Sequence, residues 1–112
     1  MSFALPTVTA DAVPAGAPLL DVREPDEWAA GHAEGALHIP MGQVIERMGD
    51  ITEHAGDGTL HVVCKVGGRS AQVTAYLVRN GIDAVNVDGG MHAWQASGRP
   101  LVAESGGDPF VL

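Results

Sequence analysis

The chain has 112 residues, 46% of them hydrophobic, with 6 Lys+Arg against 14 Asp+Glu and a net charge of -8. This length and composition fit one compact domain with a core of its own. The acidic charge argues against nucleic acid and anionic membranes as partners, and no apolar stretch approaches the roughly 20 residues of a membrane span.

Predicted strands and helices alternate along the chain. Apolar runs between turn residues predict strands at 18–22, 36–39, 60–63 and 84–87, and an edge strand at Thr7-Val8. Helical spacing and terminal signals predict helices at 25–30, 43–48, 70–79 and 91–97, with Gly31 and Asn80-Gly81 as helix ends. This alternation predicts an α/β fold with a mainly parallel central sheet and short helices on both faces.

Ligands of such sheets bind beyond the carboxyl ends of the strands. Asp21, Cys64 and Asp88 each lie at or near the end of a predicted strand. The sequence therefore indicates one edge of the sheet as the functional edge.

The only cysteine lies between a predicted strand and a glycine-rich turn, Cys64-Lys65-Val66-Gly67-Gly68-Arg69-Ser70. Glycines allow successive backbone N–H groups to turn inward, and the following helix adds its positive N-terminal end. Such surroundings lower the pKa of a thiol below its free value of about 8.5 and make it a nucleophile. The alternative is a small buried hydrophobe, but packing alone requires neither the glycine pair nor adjacent cations.

The turn is basic in an acidic chain. Lys65, the only lysine, and Arg69 place two of the six cations beside the thiol. Both can attract an anionic substrate, and both can equally be solvated surface charges. The guanidinium of Arg69 can also fork onto backbone carbonyls or an oxyanion, and Ser70 can cap the next helix while donating to an anion in the turn.

Three segments carry a combined pattern. The first consists of residues 20–28, Gly31-His32 and residues 35–40. The second is the turn 64–70. The third consists of residues 88–94 and 98–100. In this order and spacing they resemble a single-domain rhodanese, a sulfurtransferase. The resemblance covers residues 5–102 of one domain spanning 1–112, and leaves 103–112 as a C-terminal tail that is either flexible or docked.

The resemblance implies a rhodanese fold and a persulfide on Cys64. The sulfur would come from thiosulfate or another persulfide, and would pass to cyanide, a thiol or a partner protein. The substrate-binding positions would be Lys65, Val66, Gly67, Gly68, Arg69 and Ser70. Asp21 and Arg23 are expected to support the turn through hydrogen bonds.

Other motif residues have structural interpretations. We expect His32, His38, Trp28 and Trp94 to be capping or packing residues, and Gly89-Gly90 to form a tight turn. The histidines are scattered and one cysteine cannot form a thiolate cluster, so we expect no metal and no cofactor. A single cysteine without an export signal favours a cytoplasmic location.

Two other functions remain open. Tyrosine-phosphatase-type loops also combine a cysteine, a cradle of N–H groups and an arginine, but they place five residues between the two side chains. Here four residues separate Cys64 from Arg69, and the shorter cradle favours a single sulfur atom over a tetrahedral oxyanion. The third possibility is a rhodanese-like binding module without catalysis, although retention of the cysteine argues against it.

Overall fold

The computed structural model describes residues 5–112, in which five strands form one parallel sheet. The strands are β1 Thr7–Thr9, β2 Leu19–Asp21, β3 Leu37–His38, β4 Leu60–Val63 and β5 Ala84–Asp88. Their order is β1-β5-β4-β2-β3, and every neighbouring pair is parallel. The predicted α/β fold is therefore confirmed, including the edge strand at Thr7-Val8.

Four α-helices cover the sheet: α1 Pro25–Ala30, α2 Met48–Ala55, α3 Gly68–Arg79 and α4 Gly90–Ala96. Short 3₁₀ helices lie at Ala10–Ala12 and Met41–Gln43. Within residues 5–112, no helix has the length and apolar character needed to cross a bilayer.

The core has one layer on each face of the sheet, and the alternation of β4 divides its side chains between them. Leu60 and Val62 pack with residues of α2 and α3, whereas Val63 packs with residues of α4. All four residues of β4 are buried, as expected for the central strand of a parallel sheet. Cys64 belongs to the layer shared with α3.

The predicted helix at 43–48 is wrong. Gln43 ends the 3₁₀ helix, residues 44–47 form a turn, and the α-helix begins only at Met48 and continues to Ala55. Ile51 and Ala55 lie one turn apart and are buried in the core. Their burial stabilises a helix at 48–55 rather than at 43–48. Gly49 is a poor helix former, so local preference did not indicate this segment.

The C-terminal tail docks on the domain. The backbone N–H groups of Glu104 and Phe110 donate to the carbonyls of Ala29 and Ala30 at 3.1 and 3.0 Å, at the end of α1. Gly31 ends this helix as predicted, and a Cβ at this position would overlap the backbone of Phe110. The glycine therefore permits the tail to approach the helix closely.

Candidate active site

Cys64 follows β4 at the edge of the sheet where the carboxyl ends of the strands meet. Within the turn, Gly67 immediately precedes α3. Its φ of 115° is a backbone conformation that is accessible mainly to glycine. This conformation aims the Gly67 backbone N–H at the sulfur, to which it donates at 3.1 Å. The thiol thus lies against the N-terminus of a 12-residue helix.

The start of α4 holds the outer side of the turn. The N–H of Met91 donates to the carbonyl of Cys64 at 2.8 Å, and that of His92 to the carbonyl of Lys65 at 2.9 Å. These bonds direct the two carbonyls away from the sulfur. Gly90 makes the approach possible, because a Cβ there would overlap the carbonyl oxygen of Cys64.

A buried serine and asparagine complete the polar surroundings of the sulfur. The hydroxyl oxygen of Ser70 lies 3.3 Å from the Cys64 sulfur, 3.2 Å from the Gly67 carbonyl oxygen and 2.6 Å from Oδ1 of Asn86. One hydroxyl proton therefore has three acceptors within reach. Asn86 also donates from Nδ2 to the Gly67 carbonyl at 3.4 Å, which ties the turn to β5.

These contacts favour the thiolate. Burial raises the pKa of the Cys64 thiol, but the Ser70 hydroxyl and the backbone N–H groups of Ser70, Gly67 and Val66 lower it by more. The net pKa lies below the ordinary value of a thiol. Although Cys64 is only 1% exposed, the hydrogen-bond donors around its sulfur make the thiolate easier to form than in a free thiol.

Arg69 does not face the sulfur with a free guanidinium. Its Nη1 and Nη2 atoms donate to the two carboxylate oxygens of Glu27 in α1, at 2.7 and 3.0 Å. Hydrogen bonding to Arg69 is the largest cause that lowers the pKa of Glu27 to about 2, so this carboxylate stays ionised. The fork of Arg69 thus forms on the carboxylate of Glu27, and not on backbone carbonyls or an oxyanion as predicted.

The remaining turn residues are open to solvent. Lys65, Val66 and Gly68 are exposed, and Lys65 makes no ion pair with another residue of the described range 5–112. The side chain of Val66 is an exposed apolar group at the tip of the turn.

Asp21 and Arg23 do not bond to the turn, and this expectation is corrected. Both side chains are fully buried, and Arg23 donates from Nη2 to Asp21 at 2.8 Å and to the Gly31 carbonyl at 2.7 Å. Within residues 5–112, neither side chain has a hydrogen bond to residues 64–70. A buried guanidinium must find hydrogen-bond acceptors nearby, and Arg23 finds them in Asp21 and the Gly31 carbonyl. The pair therefore fixes the connection between β2 and α1.

The histidines and tryptophans named in the sequence analysis have packing roles. The ring of Trp28 stacks on His32 and His38, with centroids 3.5 and 4.7 Å apart. Trp94 is buried and donates from Nε1 to the Pro100 carbonyl at 3.0 Å. Gly89 and Gly90 form the predicted tight turn, with φ of 76° and 54°.

Comparison with known proteins assigns the family. The family model of the rhodanese-like domain matches residues 7–97. The chain belongs to the rhodanese family. A sulfurtransferase of Allochromatium vinosum is 39% identical to this rhodanese over 89 residues, which are 79% of this chain and 80% of that protein.

Other relatives agree in sequence and structure. The thiosulfate sulfurtransferase GlpE of Pseudomonas putida is 39% identical over 85 residues, 73% of each chain. A crystal structure of a rhodanese-related protein from Thermoplasma volcanium superposes with a TM-score of 0.80 at 30% identity, covering 87% of this chain and 97% of that one. This rhodanese is thus an enzyme of the sulfurtransferase type.

Proposed function

We propose that this rhodanese transfers sulfane sulfur through a persulfide on Cys64. The thiolate attacks the outer sulfur of a donor, the bond from that sulfur to the rest of the donor breaks, and sulfite or a thiolate leaves with the electron pair. An acceptor thiolate or cyanide then attacks the terminal sulfur of Cys64-S-S⁻ and releases the Cys64 thiolate. Each step exchanges one bond to sulfur for another, so no external oxidant or reductant is needed.

One observation carries this proposal: the Gly67 N–H donates to the Cys64 sulfur at 3.1 Å while the carbonyls of Cys64 and Lys65 bond to α4. Donors that are fixed in place before the reaction stabilise an anion without reorganising during transfer. The same turn would hold the anionic terminal sulfur of the persulfide. Residues 65–70 are its proposed binding residues, and they act through the backbone N–H groups of the turn and the hydroxyl of Ser70.

The position of Arg69 supports sulfur transfer over phosphate chemistry. A phosphatase cradle requires its arginine to fork onto the oxyanion, whereas here the guanidinium is bound to both carboxylate oxygens of Glu27. The four-residue spacing between Cys64 and Arg69 points the same way.

The lowered pKa of Cys64 supports catalysis over a binding role, because a recognition module has no need of an activated thiol.

A small sulfane-sulfur donor and a thiol or protein acceptor are the proposed partners. Thiosulfate is a donor to test, since it is named for the Pseudomonas putida relative. The cytoplasmic location remains a prediction from the single cysteine.

Intact-protein mass spectrometry tests the proposal. Incubation with thiosulfate or a thiosulfonate should add one sulfur atom to the wild-type protein and none to Cys64→Ala, and subsequent cyanide should remove that sulfur as thiocyanate. A wild-type protein that gains no sulfur from any sulfane donor would point to a binding module. Hydrolysis of an aryl phosphate without sulfur transfer would instead establish the oxyanion chemistry.

A further inference from the structure

The ion pair between Glu27 and Arg69 joins two elements at the mouth of the turn. Glu27 belongs to the first turn of α1, and Arg69 to the first turn of α3, directly beside the cysteine turn. Both bonds are short, and the two side chains are 14% and 35% exposed, so the pair is only partly solvated. Its carboxylate and guanidinium compensate each other's charge.

The compensation of Arg69 by Glu27 reduces the positive charge that an approaching donor meets at the turn. Lys65 is exposed and makes no ion pair within residues 5–112, whereas Arg23 is buried and bound to Asp21. Glu24, another carboxylate of the same connection, is exposed and acts electrostatically on Arg69. Besides the backbone N–H groups of the turn, a donor therefore meets one uncompensated lysine and the negative charge of the Cys64 thiolate, in a chain of net charge -8.

Repulsion from the thiolate grows in proportion to the charge of the donor. A dianion such as thiosulfate is repelled twice as strongly as a monoanion of the same size. A free arginine would offset this repulsion with two parallel hydrogen bonds, but here Glu27 already holds both.

We propose that Glu27 is a specificity-determining residue: by occupying Arg69 it makes the turn select donors that bring a single negative charge, as thiol persulfides do, over dianionic donors. The inference rests on the proposed persulfide function of Cys64. Glu27 acts through Arg69 and does not touch the sulfur, so it positions and neutralises that side chain.

Two donors of different charge and similar size provide the probe. Thiosulfate carries two negative charges, and methanethiosulfonate carries one. With either donor the thiolate bonds to the outer sulfur and the bond to the oxidised sulfur breaks. Sulfite leaves in the first case and methanesulfinate in the second, and both reactions give the same Cys64-S-S⁻.

The decisive variant is Glu27→Gln. A glutamine oxygen can still accept the hydrogen bond that Glu27 takes from the Glu24 N–H at 3.0 Å, so the start of α1 is preserved. The same oxygen can also keep the bond from Nη1 of Arg69, whereas the countercharge and the acceptor of the Nη2 bond are lost. We expect kcat/KM for thiosulfate to rise about tenfold and that for methanethiosulfonate about threefold, because the attraction to the uncompensated charge of Arg69 doubles with the charge of the donor. Equal changes for both donors, or no change, would overturn the proposal.

Two controls separate Arg69 from general charge effects. Glu24→Gln removes the same charge from the neighbouring position without releasing Arg69, and should change the ratio of the two kcat/KM values less than twofold. Glu27→Gln in an Arg69→Ala background should lose the preferential gain for thiosulfate. If that gain persists without the arginine, the charge of Glu27 acts directly and the proposal is wrong.

A measurement on the wild-type protein does not depend on any variant folding. Raising KCl from about 20 to about 200 mM screens the repulsion, so kcat/KM should increase more for thiosulfate than for methanethiosulfonate. A stronger salt-induced decrease for thiosulfate would reveal a net attractive site and refute the proposal. Failure of both donors to place sulfur on Cys64 would instead refute the proposed function itself.

Discussion

The side-chain oxygen of Asn86 lies 2.6 Å from the hydroxyl oxygen of Ser70, closer than the sulfur of Cys64 at 3.3 Å. The amide and the sulfur therefore compete for one proton. Hydrogen bonding from Ser70 lowers the pKa of the Cys64 thiol. Through this competition Asn86, a residue of β5, influences the pKa of the nucleophile.

Ser70→Ala and Asn86→Asp should both raise the pKa of Cys64. The first removes the hydroxyl donor, and the second offers the hydroxyl a carboxylate that holds its proton more strongly than sulfur does. The profile of iodoacetamide alkylation rate against pH should shift to higher pH in each variant. Asn80→Asp is the matched control, since α3 places it about 18 Å from the sulfur end of the helix. An unchanged profile in both site variants would exclude this network as a determinant of the pKa.

Gly90→Ala should disrupt the turn. The added methyl group would overlap the carbonyl oxygen of Cys64, and φ at this position is 54°. We expect a loss of at least about 2 kcal/mol in the free energy of unfolding by urea, and slower alkylation of Cys64 in the protein that remains folded.

Gly35→Ala separates the overlap from the backbone strain. Its φ is 83°, and no heavy atom lies within 4 Å of the new Cβ. It should cost about 1 kcal/mol and leave alkylation unchanged. Equal effects of the two substitutions would show that the contact with Cys64 has no importance of its own.

Asp21→Asn should destabilise the fold more than it impairs chemistry. The substitution leaves the guanidinium of Arg23 without its buried countercharge, and breaking such a pair costs about 3 kcal/mol or more. Urea unfolding should show this loss, whereas Asp50→Asn in the exposed pair with Arg47 should cost less than about 1 kcal/mol. Persulfide formation by the folded fraction of Asp21→Asn should stay within a few-fold of the wild type. A complete loss there would indicate a direct catalytic role.

The ion pair of Glu27 should contribute stability that depends on pH. Its pKa falls from 4.5 to about 2 on folding, so the contribution is complete above about pH 4.5 and is lost as the pH falls through 2. The difference in melting temperature between the wild type and Glu27→Gln should therefore be constant from pH 5 to 7 and shrink toward pH 2. A difference that grows on acidification would contradict this pKa.

Much of the site could be predicted because it is local in sequence. Cys64, Gly67 and Ser70 lie within one turn of chain, and the strand before them and the helix after them have clear patterns. The role of Asn86 has one signal in the sequence, a polar amide between the apolar residues Val85 and Val87 of a strand.

The missed features depend on distant contacts. Glu27 reads as an acid in the first turn of a helix, and nothing near it indicates that its partner is Arg69. Arg23 was expected at the turn because it lies at a strand end, yet burial directs its guanidinium to Asp21 and Gly31. The helix Met48–Ala55 is fixed by burial of Ile51 rather than by local preference.

The two bonds from α4 to the turn, Met91 to Cys64 and His92 to Lys65, also have a consequence for synthesis of the protein. A nascent chain that has exposed its cysteine but not yet the first residues of α4 cannot form these two bonds to the turn. During translation the thiol therefore keeps the pKa of an unfolded cysteine, and this pKa falls only when the fold closes around it.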